Sequence, residues 1–339
     1  MTELKLQTYR MDQSAPMGQI RAFLAQQNLG IDPDVTLFDV IWDADKIVAC
    51  GGLADNVLKS IAVDETYQGQ GLSLKLLTDL TNQAYSQGLF HLFIYTKPRN
   101  TKLFTQAGFH PLVSFADKVV LMENSSTRLK KYCQYLSGFR HSGDKIGGIV
   151  MNANPFTLGH QYLLEQVSKQ VDWLHLIVVK EDKSYFSFSD RFAMIQQGCA
   201  HIHNITVHSG SDYVISRATF PSYFLKDEQI INSSHTAIDL QLFRNYIAPA
   251  LGITHRFAGS EPTDITTRFY NEQMQFWLQT PKLTSPAIEF VELPRTAIND
   301  RAISASLVRR YLQEKKWDKV KALVPETTYL YIQKLHQSI

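Results

Sequence analysis

Met151-Asn152-Ala153-Asn154-Pro155-Phe156-Thr157-Leu158-Gly159-His160 reads as the end of an apolar strand, a polar turn and the opening of a helix. The Thr-x-Gly-His turn sets a hydroxyl, a flexible backbone step and an imidazole beside a helix N-terminus, whose unbonded N–H groups attract phosphate. Far downstream, Ile303-Ser304-Ala305-Ser306-Leu307-Val308-Arg309 puts two hydroxyls at the start of an amphipathic helix and an arginine one turn further in. Taken singly, Gly159 eases a strand into a helix and Ser304 is an ordinary N-cap. Taken together, the two stretches predict one anion-binding cleft.

Between them the chain alternates strands and helices, the pattern of a doubly wound parallel sheet. Strands are predicted at Ile146 to Met151, Leu174 to Val179, Ile205 to His208, His255 to Ala258 and Ile288 to Leu293, and helices at His160 to Lys169, Ser189 to Ala200, Ala237 to Ala250 and Ile265 to Leu278. Ligands of open sheets sit at the C-terminal ends of strands, so the cleft is expected after the first and fourth strands. The paired motifs resemble the nucleotidyltransferase superfamily, which includes cytidylyltransferases and pantetheine-phosphate adenylyltransferase. That resemblance implies ATP as a ligand. His160 and Thr157 would hold the reacting phosphate, and Asn152, Asn154, Phe156, Gly159, Ile303, Ser304, Ser306 and Arg309 would surround the nucleotide. In the loop Val179 to Arg191 it implies a phosphate-reaching lysine, Lys183 before Lys180, and matches Phe186 and Arg191 to a family step. In Phe257-Ala258-Gly259-Ser260-Glu261-Pro262-Thr263-Asp264, Gly259 permits close backbone approach, Ser260 and Glu261 are further nucleotide candidates, and Thr263 or Asp264 caps the next helix.

The N-terminal part carries another signature. Val63-Asp64-Glu65-Thr66-Tyr67-Gln68-Gly69-Gln70-Gly71-Leu72-Ser73 is a strand end, a glycine turn and a helix start. It resembles the GNAT acetyltransferase superfamily, whose turn holds the diphosphate of coenzyme A on backbone N–H groups, here at Val63, Gln68, Gly69, Gly71, Leu72 and Ser73. Leu103-Phe104-Thr105-Gln106-Ala107-Gly108-Phe109 matches that family's later helix. Phe104 stands where active acetyltransferases often carry tyrosine, and a phenyl ring cannot protonate a departing thiolate. Asn100, four residues ahead of it, is also displaced from the family pattern. Binding of a pantetheine-bearing group, without transfer chemistry, is expected.

With 339 residues and 44% hydrophobic content the chain suffices for two cores. A net charge of +2 excludes nucleic-acid binding by bulk electrostatics. Cys50, Cys133 and Cys199 form no Cys-x-x-Cys, and His201-x-His203 reads as a surface turn, so no metal site is expected. No apolar run reaches membrane-span length, and a reducing cytoplasm is the expected compartment. The boundary is placed at the polar run Glu123 to Thr127, giving a GNAT-like α+β domain over 1–123, a linker helix within 124–143, and a Rossmann-like doubly wound nucleotidyltransferase domain over 144–339 with C-terminal helices.

A GNAT-like domain followed by an adenylylating domain resembles the citrate lyase ligase family. Gly148 to His160 and Ser260-Glu261-Pro262-Thr263 are similar to that family's own runs. The resemblance implies that ATP, as its magnesium complex, and acetate form acetyl adenylate, and that the acetyl group passes to the thiol of a dephospho-coenzyme-A-like arm on the acyl-carrier subunit of citrate lyase. An adenylyltransferase that joins AMP to a phosphorylated acceptor is the alternative enzyme reading. A nucleotide or coenzyme A sensor is the non-enzyme one.

Overall fold

A computed structural model describes residues 4–11, 16–180, 184–214, 220, 222–225, 227–260, 265–294, 297–298 and 301–337. The chain divides into two compact units, Met1–Leu129 with Arg217–Ile238, and Lys130–Ser216 with Asp239–Ile339.

In the first unit the elements run β1 (Lys5–Arg10), α1 (Met17–Gln26), β2 (Leu37–Asp43), β3 (Lys46–Ala54), β4 (Val57–Val63), α2 (Leu72–Ser86), β5 (Phe93–Thr96), α3 (Thr101–Gln106), β6 (His110–Phe115) and β7 (Val119–Glu123). They form a seven-stranded sheet ordered β1-β2-β3-β4-β5-β7-β6. Leu77, Leu80 and Ala84 of α2 pack on one apolar cluster, and Ile20, Phe23 and Leu24 of α1 on another. The β4 and β5 strands are parallel and pair at Val57–Leu58 against Phe93–Ile94. There the ladder stops, while β4 runs on to Val63 and β5 to Thr96. Two parallel strands that part in this way leave backbone groups facing an opening at their C-terminal ends.

The second unit continues with α4 (Arg128–Ser137), β8 (Ile146–Met151), α5 (Leu158–Ser168), β9 (Trp173–Val178), α6 (Phe188–Gly198), β10 (Ile205–Ser209) and α7 (Glu228–Leu242), the last reaching into it from the returning segment. A π-helical turn, Phe243–Ile247, leads to α8 (Ala248–Leu251), β11 (His255–Gly259), α9 (Ile265–Gln279) and β12 (Glu289–Leu293). Two short strands, β13 (Ala297–Ile298) and β14 (Arg301–Ala302), precede α10 (Ala305–Gln313), α11 (Trp317–Lys321) and α12 (Glu326–Gln337). Five parallel strands are ordered β10-β9-β8-β11-β12. Along β9, Leu174, Leu176 and Val178 face a cluster with Leu164, Met194, Val308, Leu312 and Ile332, whereas Ile177 faces Phe243, Ile247, Met274 and Leu278. This period-two alternation buries both faces under helices, as a doubly wound sheet requires. The order reverses between β8 and β11, so the crevice of the sheet lies there.

Two differences from the sequence expectation stand out. Residues 217–238, expected with the second domain, cluster with the first. Ser222 explains part of this, donating its N–H and hydroxyl to the Asp32 carboxylate, and the Gly30 N–H donates to the Tyr223 carbonyl at 2.7 Å. The helix expected from Ala237 starts at Glu228, where Asp227 accepts from the Gln229 N–H at 2.8 Å. Its polar run Ser234, His235 and Thr236 is buried, so tertiary packing overrides the loop-like local composition.

Candidate active site

The Thr157 turn is a capping box in which histidine takes the place of the usual acid. Thr157 is the N-cap of α5, and the His160 N–H donates to its Oγ1 at 3.4 Å while the Thr157 N–H donates to His160 Nδ1 at 3.0 Å. Thr157 Oγ1 and His160 Nδ1 lie 2.9 Å apart. A backbone N–H can only donate, so Nδ1 is the accepting nitrogen and the neutral imidazole carries its proton on Nε2. Thr157 is 1% exposed and acts locally, fixing the ring.

Beneath the turn, Phe156 is fully buried and its ring lies at 18° to the His160 ring, 5.8 Å between centroids. The same phenyl ring presses on the backbone of Gly198 in α6, where an added Cβ would fall 2.4 Å from its edge. Glycine is required there because the ring approaches closer than any side chain would allow. The Asn154–Pro155 peptide is cis.

The second motif meets the first. Ile303, 2% exposed, lies 3.5 Å from where a Gly159 Cβ would stand. Arg309 donates from Nη1 to the Asn154 carbonyl and from Nη2 to Ser306 Oγ at 3.0 Å, lacing α10 to the turn. Burial lowers the Arg309 pKa, and it remains a cation. Thr157, Gly159, His160, Ser304 and Ser306 line one cavity of about 650 Å³, with Gly259 and Ser260 from the end of β11 on another wall. Ser304 is the N-cap of α10 with its side chain outside the cap hydrogen bonds. The first turns of α5 and α10 therefore both contribute to a single cavity, and their N-terminal dipoles favour an anion in it.

Other expected residues fall elsewhere. Arg191 is fully buried and donates to the carbonyls of Asn152 and Val179, each at 2.9 Å, and of Phe186 at 3.3 Å. Through these carbonyls it braces the ends of β8 and β9. Asn154 Oδ1 accepts from the Phe186 N–H at 3.1 Å and Asn152 Nδ2 donates to Ser184 Oγ at 3.4 Å, so both amides shape the loop. Lys183, Glu261, Thr263 and Asp264 lie outside the described residues.

Sequence reasoning passed over Arg256, Tyr270 and Met274, which also line the cavity. An arginine inside a short strand, directly before Phe257 and Ala258, was the available signal. Asn271, beside them, donates to the Gly259 carbonyl at 3.1 Å and to Glu292 Oε1 at 2.7 Å, holding the end of β11.

In the first unit, Gly69 and Gly71 take left-handed φ values of +80° and +77°, which only glycine adopts without strain, and open space surrounds both. Gly71 is the N-cap of α2 and has no side chain to satisfy the helix's first N–H groups. Phe104 is 4% exposed within the core, so α3 offers no acid at this site. Where β4 and β5 have parted, the Tyr223 hydroxyl donates to the Tyr95 carbonyl at 2.9 Å, and Phe220 packs edge-on against the Tyr95 ring. Desolvation raises the Tyr223 pKa, keeping that hydroxyl protonated.

A family model described as citrate lyase ligase C-terminal domain matches residues 146–332, and one described as acetyltransferase (GNAT) domain matches residues 15–117. A protein of Escherichia coli K12 named citrate (pro-3S)-lyase ligase is 48% identical over 326 residues, covering 96% of this chain and 93% of that one. A Haemophilus influenzae protein of the same name is 51% identical over 316 residues, 93% of this chain and 94% of its own. The Klebsiella pneumoniae counterpart is 50% identical over 319 residues, 94% and 93% of the two chains.

Proposed function

This chain belongs to the citrate lyase ligase family, and from that premise we propose that its second unit joins acetate to AMP and that its first unit holds the thiol arm which takes the acetyl group. It is a ligase with a GNAT domain ahead of a nucleotidyltransferase-type domain. The observation that carries the proposal is the convergence of the Thr157–His160 turn and the Ser304–Ser306 turn on one cavity.

An acetate oxygen attacks the α-phosphorus of ATP, and the bond to the bridging oxygen of pyrophosphate breaks. Negative charge grows on the α-phosphate oxygens and on the departing pyrophosphate, so fixed donors lower the barrier, each by about 3 kcal/mol. The Nε2–H of His160 serves the α-phosphate. The N-terminus of α10, with the hydroxyls of Ser304 and Ser306, receives the β and γ phosphates. Gly259 and Ser260 border the nucleoside. Magnesium travels as the ATP complex, held by phosphate oxygens and water, and needs no carboxylate cage from the protein. Acetyl adenylate is a mixed anhydride, so exclusion of water until the thiol arrives is part of the task. The thiolate then attacks the acetyl carbon and AMP leaves.

The turn from Gln68 to Ser73 holds the diphosphate of a dephospho-coenzyme-A-like arm on the citrate lyase carrier subunit. The open, uncapped start of α2 supports this reading, and the buried Phe104 supports binding without transfer. The second enzyme reading, adenylylation of a phosphorylated acceptor, leaves that domain without a role, and the full-length relatives carry the ligase name.

Incubated with this protein, ATP and acetate, purified carrier subunit gains the mass of one acetyl group, and needs both small molecules to do so. An unchanged mass on carrier bearing a free thiol contradicts the proposal. Ser73→Asp slows carrier acetylation by about tenfold or more through repulsion of the diphosphate while adenylate formation persists. Equal loss of both activities contradicts the division of labour.

A further inference from the structure

A buried guanidinium demands either a full set of acceptors or an anion. Elsewhere this chain provides acceptors. Lys59 meets Asp32 and Asp34, Arg191 meets three carbonyls, and Arg244 donates to the carbonyls of Trp277, Thr280, Ser285 and Pro286. Arg256 differs. It is 4% exposed, and its Nε and Nη1 are buried with no hydrogen-bond partner among the described residues.

Its location is equally specific. Arg256 stands opposite Gly148 on the last rung that β8 and β11 share, beyond which β8 continues to Met151 and β11 to Gly259. The π-helical turn lays the Phe243 ring against it, 4.5 Å from the guanidinium carbon to the centroid. The Asp239 carboxylate, whose charge acts on it, already accepts the Tyr270 hydroxyl. Arg256 lines the cavity that also holds His160 and Ser304, beside the apolar side chains of Val150 and Met274.

We infer that Arg256 is the carboxylate receptor for the acyl substrate, a small aliphatic monocarboxylate whose methyl group lies toward Val150 and Met274. The inference deepens the acetyl-adenylate reading and rests on it. A guanidinium forks through Nη2 together with Nη1 or Nε, giving a carboxylate two parallel N–H bonds that fix its plane as well as its place. Each carboxylate oxygen keeps a second lone pair, so a held acetate can still attack phosphorus. Phosphate is served separately by the two helix N-termini, which leaves the cation at the parted strands for the acyl acid.

Full-length protein with acetate as the probe tests this. Arg256→Met raises the KM for acetate in ATP–pyrophosphate exchange by about a hundredfold or more, while the Kd for ATP stays within about threefold. Arg256→Lys falls between, because an ammonium cannot make the fork. A methionine variant whose acetate KM is unchanged, or whose ATP binding weakens as much as its acetate use, overturns the inference. If that variant fails to fold, a crystal of the unaltered protein grown in acetate decides: carboxylate density on the Arg256 guanidinium supports it, and acetate absent from this cavity overturns it. Lack of acetate-dependent exchange in the unaltered protein refutes the acetyl-adenylate reading itself. Exchange that survives Arg256→Met unchanged refutes the subsite alone.

Discussion

Each unit buries a cation where two parallel strands part, and the two cations differ in what meets them. In the first, Lys59 follows the last rung of β4 with β5 and is held by Asp34 at 2.8 Å and Asp32 at 3.1 Å. Asp32 in turn anchors Ser222 of the returning segment, whose Tyr223 caps the Tyr95 carbonyl. In the second, Arg256 occupies the last rung of β11 with β8 and its Nε and Nη1 have no acceptor among the described residues. Similar backbone openings thus serve different ends. The first fills its opening with its own chain; in the second, on the reading proposed above, the donors are left for a small molecule.

Substitution at the two cations breaks the comparison most sharply. Lys59→Met strands two carboxylates and costs about 3–5 kcal/mol, whereas Arg256→Met removes an unmet charge and is neutral or stabilising. Thermal unfolding of both variants checks this, and equal destabilisation would mean that Arg256 is an internal brace like Lys59. Gly198→Ala is next in size. Its Cβ would strike the Phe156 ring at 2.4 Å, so about 1–3 kcal/mol is lost, along with the alignment of His160. Adenylate formation then falls while arm binding by the first unit persists, as a binding assay with dephospho-coenzyme A reads.

The smallest effect is a difference in the sign of pH dependence. Burial, opposed by the Thr8 hydrogen bond and reinforced by Asp79, raises the Asp39 pKa in the first unit to about 7. The folded state then keeps a proton that the unfolded chain loses above about pH 4, so stability drains from this unit as pH rises toward 7. In the second unit, burial and the neighbouring ring charges lower His175 to about 3 and His208 to about 4, their rings joined at 2.9 Å. The unfolded chain binds protons near 6.5 that these rings refuse, so stability here is lost as pH falls from there toward 4. Asp39→Asn should raise stability by on the order of 1–2 kcal/mol near pH 8 and by almost nothing near pH 4. Equal gains at both values would remove Asp39 as the source.

The cleft's two motifs were legible because they are local. Strand, turn, cap and helix lie within about ten residues of each other, and the physics of a helix start is written in hydroxyl, glycine and spacing. What stayed hidden depends on which strands part and which segment comes back. Arg256 reads as a polar residue beside His255 in a strand until the β8–β11 ladder is known to end at it. Arg191, charged and in a loop-to-helix step, gives no sign in the sequence of the three carbonyls it meets. The return of 217–238 to the first unit turns on Ser222 and Asp32, separated by 190 residues. No periodicity encodes such a pair.

Exchange of labelled pyrophosphate into ATP, with acetate present and carrier absent, tests the central claim most directly. The unaltered protein should catalyse it alone, and His160→Ala should slow it by about a hundredfold or more. Exchange that requires the carrier, or that proceeds undiminished without the His160 imidazole, would contradict an acyl adenylate made in the second unit's cavity.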